Sequence, residues 1–353
     1  MLNLFFFILK YFPPELSHLI TLKLLTLKPE FITQVSKEDN KLNQYIWGLD
    51  FKNPIGLAAG FDKNAIVLSN LLDLGFSFVE GGTVTPLAQK GNQKPRVFRL
   101  YEDKAIINHL GFNNLGIEKV KNNLKTLNIN VYSKGIIGIN IGKNNNSKSL
   151  FDDYCKGLKI LGPLAHYIVI NISSPNTPGL RNLQNRGHIN TLIKELHQVR
   201  ENSNELTKKP ILFKISPDIN DEQARDIALS SLALGIDGLI ISNSTVDRSN
   251  TLISSYKSEI GGLSGKPLFI KSTILLKKMY NLTNGQIPLI GVGGISNGIE
   301  CYEKIKAGAS LVQLYSSLVY QGPSIIPKIK KELLSCLLTD GYKNIKDAVG
   351  KEA

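Results

Sequence analysis

The sequence predicts an α/β protein: a closed (β/α)8 TIM barrel preceded by an N-terminal helical extension. Three observations predict it. From Pro54 onward, short runs rich in Ile, Val and Leu alternate with segments of helical period. Eight such pairs follow one another. No GxGxxG follows the first run, which disfavours an open doubly wound sheet.

The extension comes first, over residues 1–40. Leu2–Phe12 is very apolar but eleven residues long, too short to span a bilayer, where about 20 are needed. Lys10 follows the apolar run, with no small-residue cleavage site, so the segment does not read as a secretory signal. Pro13 and Pro14 break the chain, and Pro14-Glu15 suits a helix start. Leu16, Leu19, Ile20, Leu24 and Leu27 then recur at helical spacing, widened by Leu22 and Leu25. Two readings stand: apolar helices lying on a membrane or lining a lipid-tail tunnel, or a helix docked on the main domain.

The barrel is expected over residues 41–338. Its strands are expected at Ile55–Ala59, Phe76–Thr83, Gly135–Ile141, Tyr167–Ile172, Ile211–Ile215, Gly238–Ser242, Leu289–Val292 and Ser310–Leu314. Near-continuous apolar runs are what strands buried on both faces require. Helices are expected near 64–74, 113–127, 149–162, 187–203, 221–234, 266–281, 296–308 and 322–338. Residues 84–112 and 243–265 are long connections after strands two and six, on the face where barrel active sites are built. Residues 339–353 read as a frayed tail.

Composition narrows the class. With 353 residues, 42% hydrophobic and 20% charged, the chain can bury a sizeable core and is not a disordered one. Cys155, Cys301 and Cys336 are widely spaced, which excludes a disulfide scaffold and a cysteine zinc site. The net charge is +13. Residues 86–148 alone carry eleven basic residues and three acids. No zinc-finger, basic-zipper or RNA-binding pattern accompanies that charge, so no nucleic acid is expected.

At the strand ends stand Lys63, Thr83, Asn140, Asn171 with Ser174 and Asn176, Lys214, Ser242 with Asn243, Gly293-Gly294, and Tyr315-Ser316. Lysines and asparagines dominate. There is no carboxylate pair for glycoside hydrolysis and no ligand set for a metal. A Ser-His-Asp triad lacks its His. What remains suits a planar, polar, anionic ligand. The Gly291–Ile295 turn (GVGGI) follows strand seven, where barrels often bind phosphate with backbone amides. Lys214 ends strand five inside an apolar barrel. Either it forms a Schiff base, as in an aldolase, or it stands as a cation beside a flavin. A barrel that only binds phosphate at a membrane is a third, non-enzymatic reading.

Nine segments carry a resemblance: Asn53–Lys63, Gly82–Pro86, Gly91–Arg96, Gly111–Asn114, Gly138–Asn144, Asn171–Arg181 (NISSPNTPGLR), Gly261–Leu268, Gly291–Ile295 and Gly308–Ser316. In order and at strand ends, they resemble the class 2, quinone-dependent dihydroorotate dehydrogenases. The likeness runs over about residues 13–325, and Pro14–His18 is similar to the start of that family's helical extension. The soluble class 1 enzymes carry cysteine where Ser174 stands and lack the extension.

The resemblance implies oxidation of (S)-dihydroorotate to orotate in pyrimidine (UMP) biosynthesis. FMN would accept the hydride and a membrane quinone would be the final acceptor. It implies FMN contacts from Ala59, Gly60, Lys63, Thr83, Asn140, Asn171, Lys214, Ser242, Gly265, Gly294, Tyr315 and Ser316. The pyrimidine would be held by Lys63, Asn108, His109, Leu110, Gly111, Phe112, Asn171, Asn176 and Asn243. Ser174 would be the catalytic base, with Thr177 and a water as its relay. His109-Leu110 replaces the family's usual Arg-Met, and Ser242 replaces Thr with its hydroxyl kept. Residues 1–28 would make peripheral contact with the cytoplasmic side of a cell inner membrane. A mitochondrial form without its leader is the alternative.

Overall fold

The computed structural model describes residues 8–27, 38–127, 134–177 and 179–353. Residues Phe5–Phe7 of the apolar run, Lys28 and Pro178 lie outside the described residues.

All eight expected strands form, as β3 (Ile55–Asp62), β4 (Phe78–Val84), β7 (Ile136–Ile141), β8 (Tyr167–Asn171), β9 (Ile211–Ile215), β10 (Gly238–Ile241), β12 (Leu289–Val292) and β13 (Ala309–Leu314). They close a parallel barrel in the order β10-β12-β13-β3-β4-β7-β8-β9. The interior is filled by matching large residues to glycines. A Cβ on Gly56 would lie 2.4 Å from the Phe78 ring, and one on Gly138 would lie 2.2 Å from the Tyr167 ring. Those glycines therefore make room for the two aromatics. A hairpin not expected from sequence, β1 (Gln44–Ile46) with β2 (Leu49–Phe51), plugs the N-terminal mouth. Its Phe51 packs edge-on against Phe78 at 5.5 Å, and Trp47 Nε1 donates to the Asp237 carbonyl at 2.6 Å.

Helices pack outside: α2 (Leu68–Leu72), α3 (Ile117–Thr126), α4 (Asp152–Leu161), α5 (Arg186–Glu201), α6 (Asp221–Leu234), α7 (Phe269–Leu282) and α8 (Gly298–Lys306). The last expected helix forms as α10 (Ile325–Thr339), and a short helix not expected from sequence, α9 (Ser316–Gln321), precedes it. Gly322, at φ +72°, separates them, a backbone angle that glycine adopts without penalty.

The two long connections meet. β5 (Val97–Leu100) and β6 (Ala105–Asn108) form a hairpin, and β11 (Gly262–Gly265) adds to it antiparallel, with Gly262 opposite Asn108. This small sheet stands on the C-terminal face with a core of its own from Leu100, Ala105, Ile107, Leu252 and Leu263.

In the extension, α1 (Pro14–Thr26) docks through buried Ser17 and Leu25. Ser17 Oγ donates to the Leu9 carbonyl at 2.7 Å, and Asn70 Nδ2 donates to the Leu25 carbonyl at 2.7 Å. Ile8, Tyr11, Phe12, Leu16, Leu19 and Leu27 stay exposed, so the helix buries one apolar face and leaves another open. Among the described residues no helix is long and apolar enough to cross a membrane.

The tail corrects an expectation: residues 339–353 are docked, not frayed. Asn344 and Asp347 form a capping box around a 3-10 turn at Ile345–Ala348, whose Ile345 and Ala348 are fully buried. Gly350 N donates to the Ile305 carbonyl at 3.1 Å and Glu352 N to that of Lys306 at 2.9 Å. Only Ile345 and Ala348 of these fifteen residues are buried, too few to register as periodicity.

Candidate active site

A cavity of about 990 Å³ opens at the C-terminal end of the barrel. The eight strands deliver its inner wall and the small sheet covers it. Of the expected residues, Ala59, Gly60, Lys63, Thr83, Asn171, Ser174, Ser242, Asn243, Gly265, Gly294, Tyr315 and Ser316 line it. So do Asn108, Leu110, Gly111, Phe112 and Asn176.

Asn140 lies one layer deeper and acts through its neighbours. Thr83 Oγ1 donates to Asn140 Oδ1 at 2.6 Å; Asn171 Nδ2 donates to Thr83 Oγ1 at 3.0 Å and to Asn140 Oδ1 at 3.2 Å. Neighbouring strands β4, β7 and β8 thus share one network of neutral groups. Beneath it sits Glu80, fully buried, which the sequence reading did not single out. Its carboxylate accepts from Tyr167 OH at 3.1 Å, from Asn140 Nδ2 at 3.5 Å and from Gln313 Nε2. Burial pushes its carboxyl up, while Lys214, Gln313, Tyr167 and Asn140 pull it back. Burial pulls the Lys214 ammonium down and Glu80 opposes that. Lys214 is therefore a buried lysine that feels the Glu80 charge without an ion pair to it, and it is absent from the cavity lining. Gln313 Oε1 is buried with no hydrogen-bond partner among the described residues, and Gln313 lines the cavity. An acceptor left so calls for a donor from a bound molecule.

The Ser174 loop forms a second wall. Ser174 is buried, and its Oγ accepts from Asn176 N at 3.2 Å, leaving its proton free to donate. Asn176 Nδ2 reaches the Asn108 carbonyl at 3.1 Å, and Asn243 Nδ2 reaches Ser173 Oγ at 2.9 Å. Thr177 Oγ1 is buried with no partner among the described residues. His109 departs from expectation. It is absent from the cavity lining; its ring bonds the Ile260 carbonyl at 2.9 Å and stacks on Phe98 at 6.0 Å. Alternation along the chain turns it away from the wall that Asn108 and Leu110 form.

The phosphate-type end is built as the glycines suggest. Gly294 has φ +79°, and a Cβ there would lie 2.5–2.7 Å from Phe269. Ser264 and Ser316 hydroxyls meet at 2.9 Å beside it. These are close backbone approaches of the kind an anion cradle needs.

The cavity continues outward between α1 and β5, lined by Leu9, Ser17, His18, Thr21, Leu24 and Val97. Here the structure adds residues that sequence reasoning missed. Arg96 is buried and donates through Nε and Nη2 to Glu15 Oε1 at 3.1 and 2.9 Å. Burial pulls Lys63 down to about 8, with Glu15 raising, Arg96 lowering and Asp62 raising it. Burial and then Lys63 pull His18 down to about 3, against a backbone bond to Phe61. His18 is therefore neutral at physiological pH. Arg96 and His18 both lay inside segments quoted for the resemblance. Glu80 also left a signal: a charged residue inside a strand buried on both faces.

A family model described as dihydroorotate dehydrogenase matches residues 41–337. The chain belongs to the dihydroorotate dehydrogenase family. It is 45% identical over 339 residues to the dihydroorotate dehydrogenase (quinone) of Rhodospirillum rubrum, covering 96% of this chain and 91% of that one. It is 45% identical over 342 residues to the mitochondrial dihydroorotate dehydrogenase (quinone) of Mus musculus, covering 96% and 86%. Among solved structures, the enzyme of Eimeria tenella in complex with ferulenol superposes with a TM-score of 0.91 at 40% identity, covering 100% of this chain and 99% of that one.

Proposed function

We propose that the inner cavity holds FMN and dihydroorotate side by side, and that its outer arm admits the quinone. The activity is oxidation of (S)-dihydroorotate to orotate in pyrimidine biosynthesis, with a quinone as final electron acceptor. The observation that carries the site assignment is the convergence of Ser174, the amides of Asn108, Asn171, Asn176 and Asn243, and Lys63 on one cavity, with a glycine cradle at its far end.

The residues fit FMN. The tight backbone at Gly265, Gly294, Tyr315 and Ser316 suits its phosphate. Thr83, Asn171, Ser242 and the orphaned Gln313 Oε1 offer donors and acceptors to a flat polar ring, with Asn140 holding Thr83 and Asn171. Ala59, Gly60 and Lys63 close the other side. Lys214, opposed by Glu80, would supply positive charge near that ring. When bound, FMN supplies the acceptor for the hydride leaving C6.

The chain's own residues do the rest. Asn108, Asn171, Asn176 and Asn243 read the carbonyl and N–H edges of dihydroorotate without changing charge, and Lys63 faces its carboxylate. Leu110, Gly111 and Phe112 shape the wall. Ser174 Oγ takes the C5 proton. A serine hydroxyl is a weak base, so its own proton passes on through Thr177, whose buried hydroxyl has capacity to spare. Most of the rate comes from holding both C–H bonds in line at once.

The exposed apolar residues of the extension flank the outer arm, which supports peripheral membrane contact; the membrane assigned is the cell inner membrane, on its cytoplasmic side. The test is the visible spectrum of the purified protein before and after anaerobic addition of dihydroorotate. A flavin spectrum that bleaches is expected. A flavin that stays oxidised would move the substrate elsewhere, and a colourless protein would remove FMN.

A further inference from the structure

Arg181 closes the segment that carries Ser174, and nothing above gives it work. β8 and β10 are not neighbours in the barrel, because β9 lies between them. Yet Ser174 follows β8 and Asn243 follows β10, and the reaction needs both at one ring. Register through β9 sets the strand ends, but no strand pairing joins the two loops themselves.

Arg181 spans that gap. Nε donates to the Ser173 carbonyl at 3.2 Å, the peptide that leads into Ser174. Nη2 donates to the Ser244 carbonyl at 3.3 Å, the peptide that leaves Asn243 behind. Nη1 donates to Asp218 Oδ2 at 3.0 Å, and Asp218 follows β9, the strand between. Asp218 is mostly buried and fully subscribed. It accepts from Lys271 Nζ at 2.6 Å, from Val246 N at 2.9 Å and from the Thr245 hydroxyl. Burial acts to raise its carboxyl, but the bonds from Lys271, Thr245 and Val246 win and hold it below the usual range. A second tie closes the ring: Asn243 Nδ2 bonds Ser173 Oγ at 2.9 Å, which donates to Asn171 Oδ1 at 2.9 Å.

We propose that the Arg181 guanidinium, held by Asp218, is the positioning group that sets the proton-accepting loop of Ser174 against the ring-holding loop of Asn243. The inference rests on the roles given to those two residues above. Only a planar fork meets three acceptors on three loops; a lysine keeps the charge and loses the geometry. Displacing the base from C5 while C6 stays aligned slows proton removal selectively.

The experiment uses the full chain loaded with flavin, as wild type, Arg181→Lys, Asp218→Asn and Ser174→Ala. Flavin content is read from absorbance and orotate affinity from the flavin spectral shift. Anaerobic reduction is timed with dihydroorotate, and with the substrate deuterated at C5 or at C6. Arg181→Lys and Asp218→Asn are expected to keep flavin, and to keep orotate affinity within about threefold. Reduction should slow about 10–100-fold, with the C5 isotope effect raised relative to C6. Wild-type isotope effects in Arg181→Lys, or slowing accounted for by lost orotate affinity, overturn the proposal while Ser174 stands as base. Loss of flavin from Arg181→Lys assigns the residue to the fold and also overturns it. A wild-type rate in Ser174→Ala overturns the reading beneath it. If Asp218→Asn comes without flavin, Arg181→Lys decides alone.

Discussion

The two ends of the cavity are built in opposite ways. At the inner end, Glu80, Asn140, Tyr167 and Gln313 project from four strands into a closed network, and strand register fixes every one of them. At the outer arm, a single helix leans on the barrel through a few bonds, chiefly Arg96 to Glu15 and Asn70 to Leu25, and leaves apolar side chains in the open. The inner end suits a resident cofactor whose surroundings must not shift. The outer arm suits an apolar molecule that enters and leaves. Chemistry that needs sub-ångström placement sits on strands; exchange sits on the element with least holding it.

That contrast can be broken or sharpened by experiment, beginning with the largest effect. Ser174→Ala should retain bound flavin and slow its reduction by dihydroorotate about 10²–10⁴-fold. Anaerobic stopped-flow absorbance reads this, and near-normal reduction sinks the base assignment. Glu80→Leu should leave the buried donors of Tyr167, Asn140 and Gln313 without their acceptor, destabilising the protein by about 3–5 kcal/mol in denaturant titration. A loss below about 1 kcal/mol, the worth of an exposed pair, would mean the inner network is not the rigid end. Removing residues 1–27 should abolish quinone turnover and leave bleaching by dihydroorotate intact. Unchanged quinone turnover would detach the outer arm from the quinone.

Lys63 stands between the two ends and gives the pH prediction. Its pKa is lowered from 10.5 to about 8. Between those values the folded chain binds fewer protons than the unfolded one, so this group makes stability rise with pH in that window. Orotate binding runs the other way, because the cation is lost as pH rises through about 8. Its dissociation constant should stay flat below that pH and rise up to about tenfold per unit above it. Lys63→Gln should abolish the slope, and a slope surviving in that variant would assign it to another group. The smallest effect is expected at His109, which faces away from the cavity. His109→Ala should change orotate affinity by no more than about twofold, the scale of an ordinary surface substitution, as isothermal titration would show.

Much of the fold was legible because barrel strands are apolar on both faces and appear as runs. Every one of the eight was placed within three residues at each end. The lid sheet was not, because β5, β6 and β11 are four residues each and β11 joins β6 across more than 150 positions of sequence. The docked tail hid for the same reason: its burial rests on Ile345 and Ala348 alone. In the site, residues at strand ends could be read off the chain, since each strand delivers its own. His109 was misplaced because a resemblance assigns positions, and the direction of a side chain depends on local backbone. Glu80, Arg96 and Arg181 escaped because their partners are distant in sequence.

By itself, then, the sequence determined the barrel, the face that carries the chemistry, and the set of lysines, asparagines and the serine that meet there. Hydrophobic periodicity and strand-end position are local properties, and local properties survive in one dimension. Tertiary structure alone decided which groups touch: Glu80 beneath Asn140, Arg96 against Glu15, Arg181 across three loops, His109 turned away. Those are pairings of charge and hydrogen-bond geometry between segments far apart along the chain, and they acquire distances only once the barrel has closed.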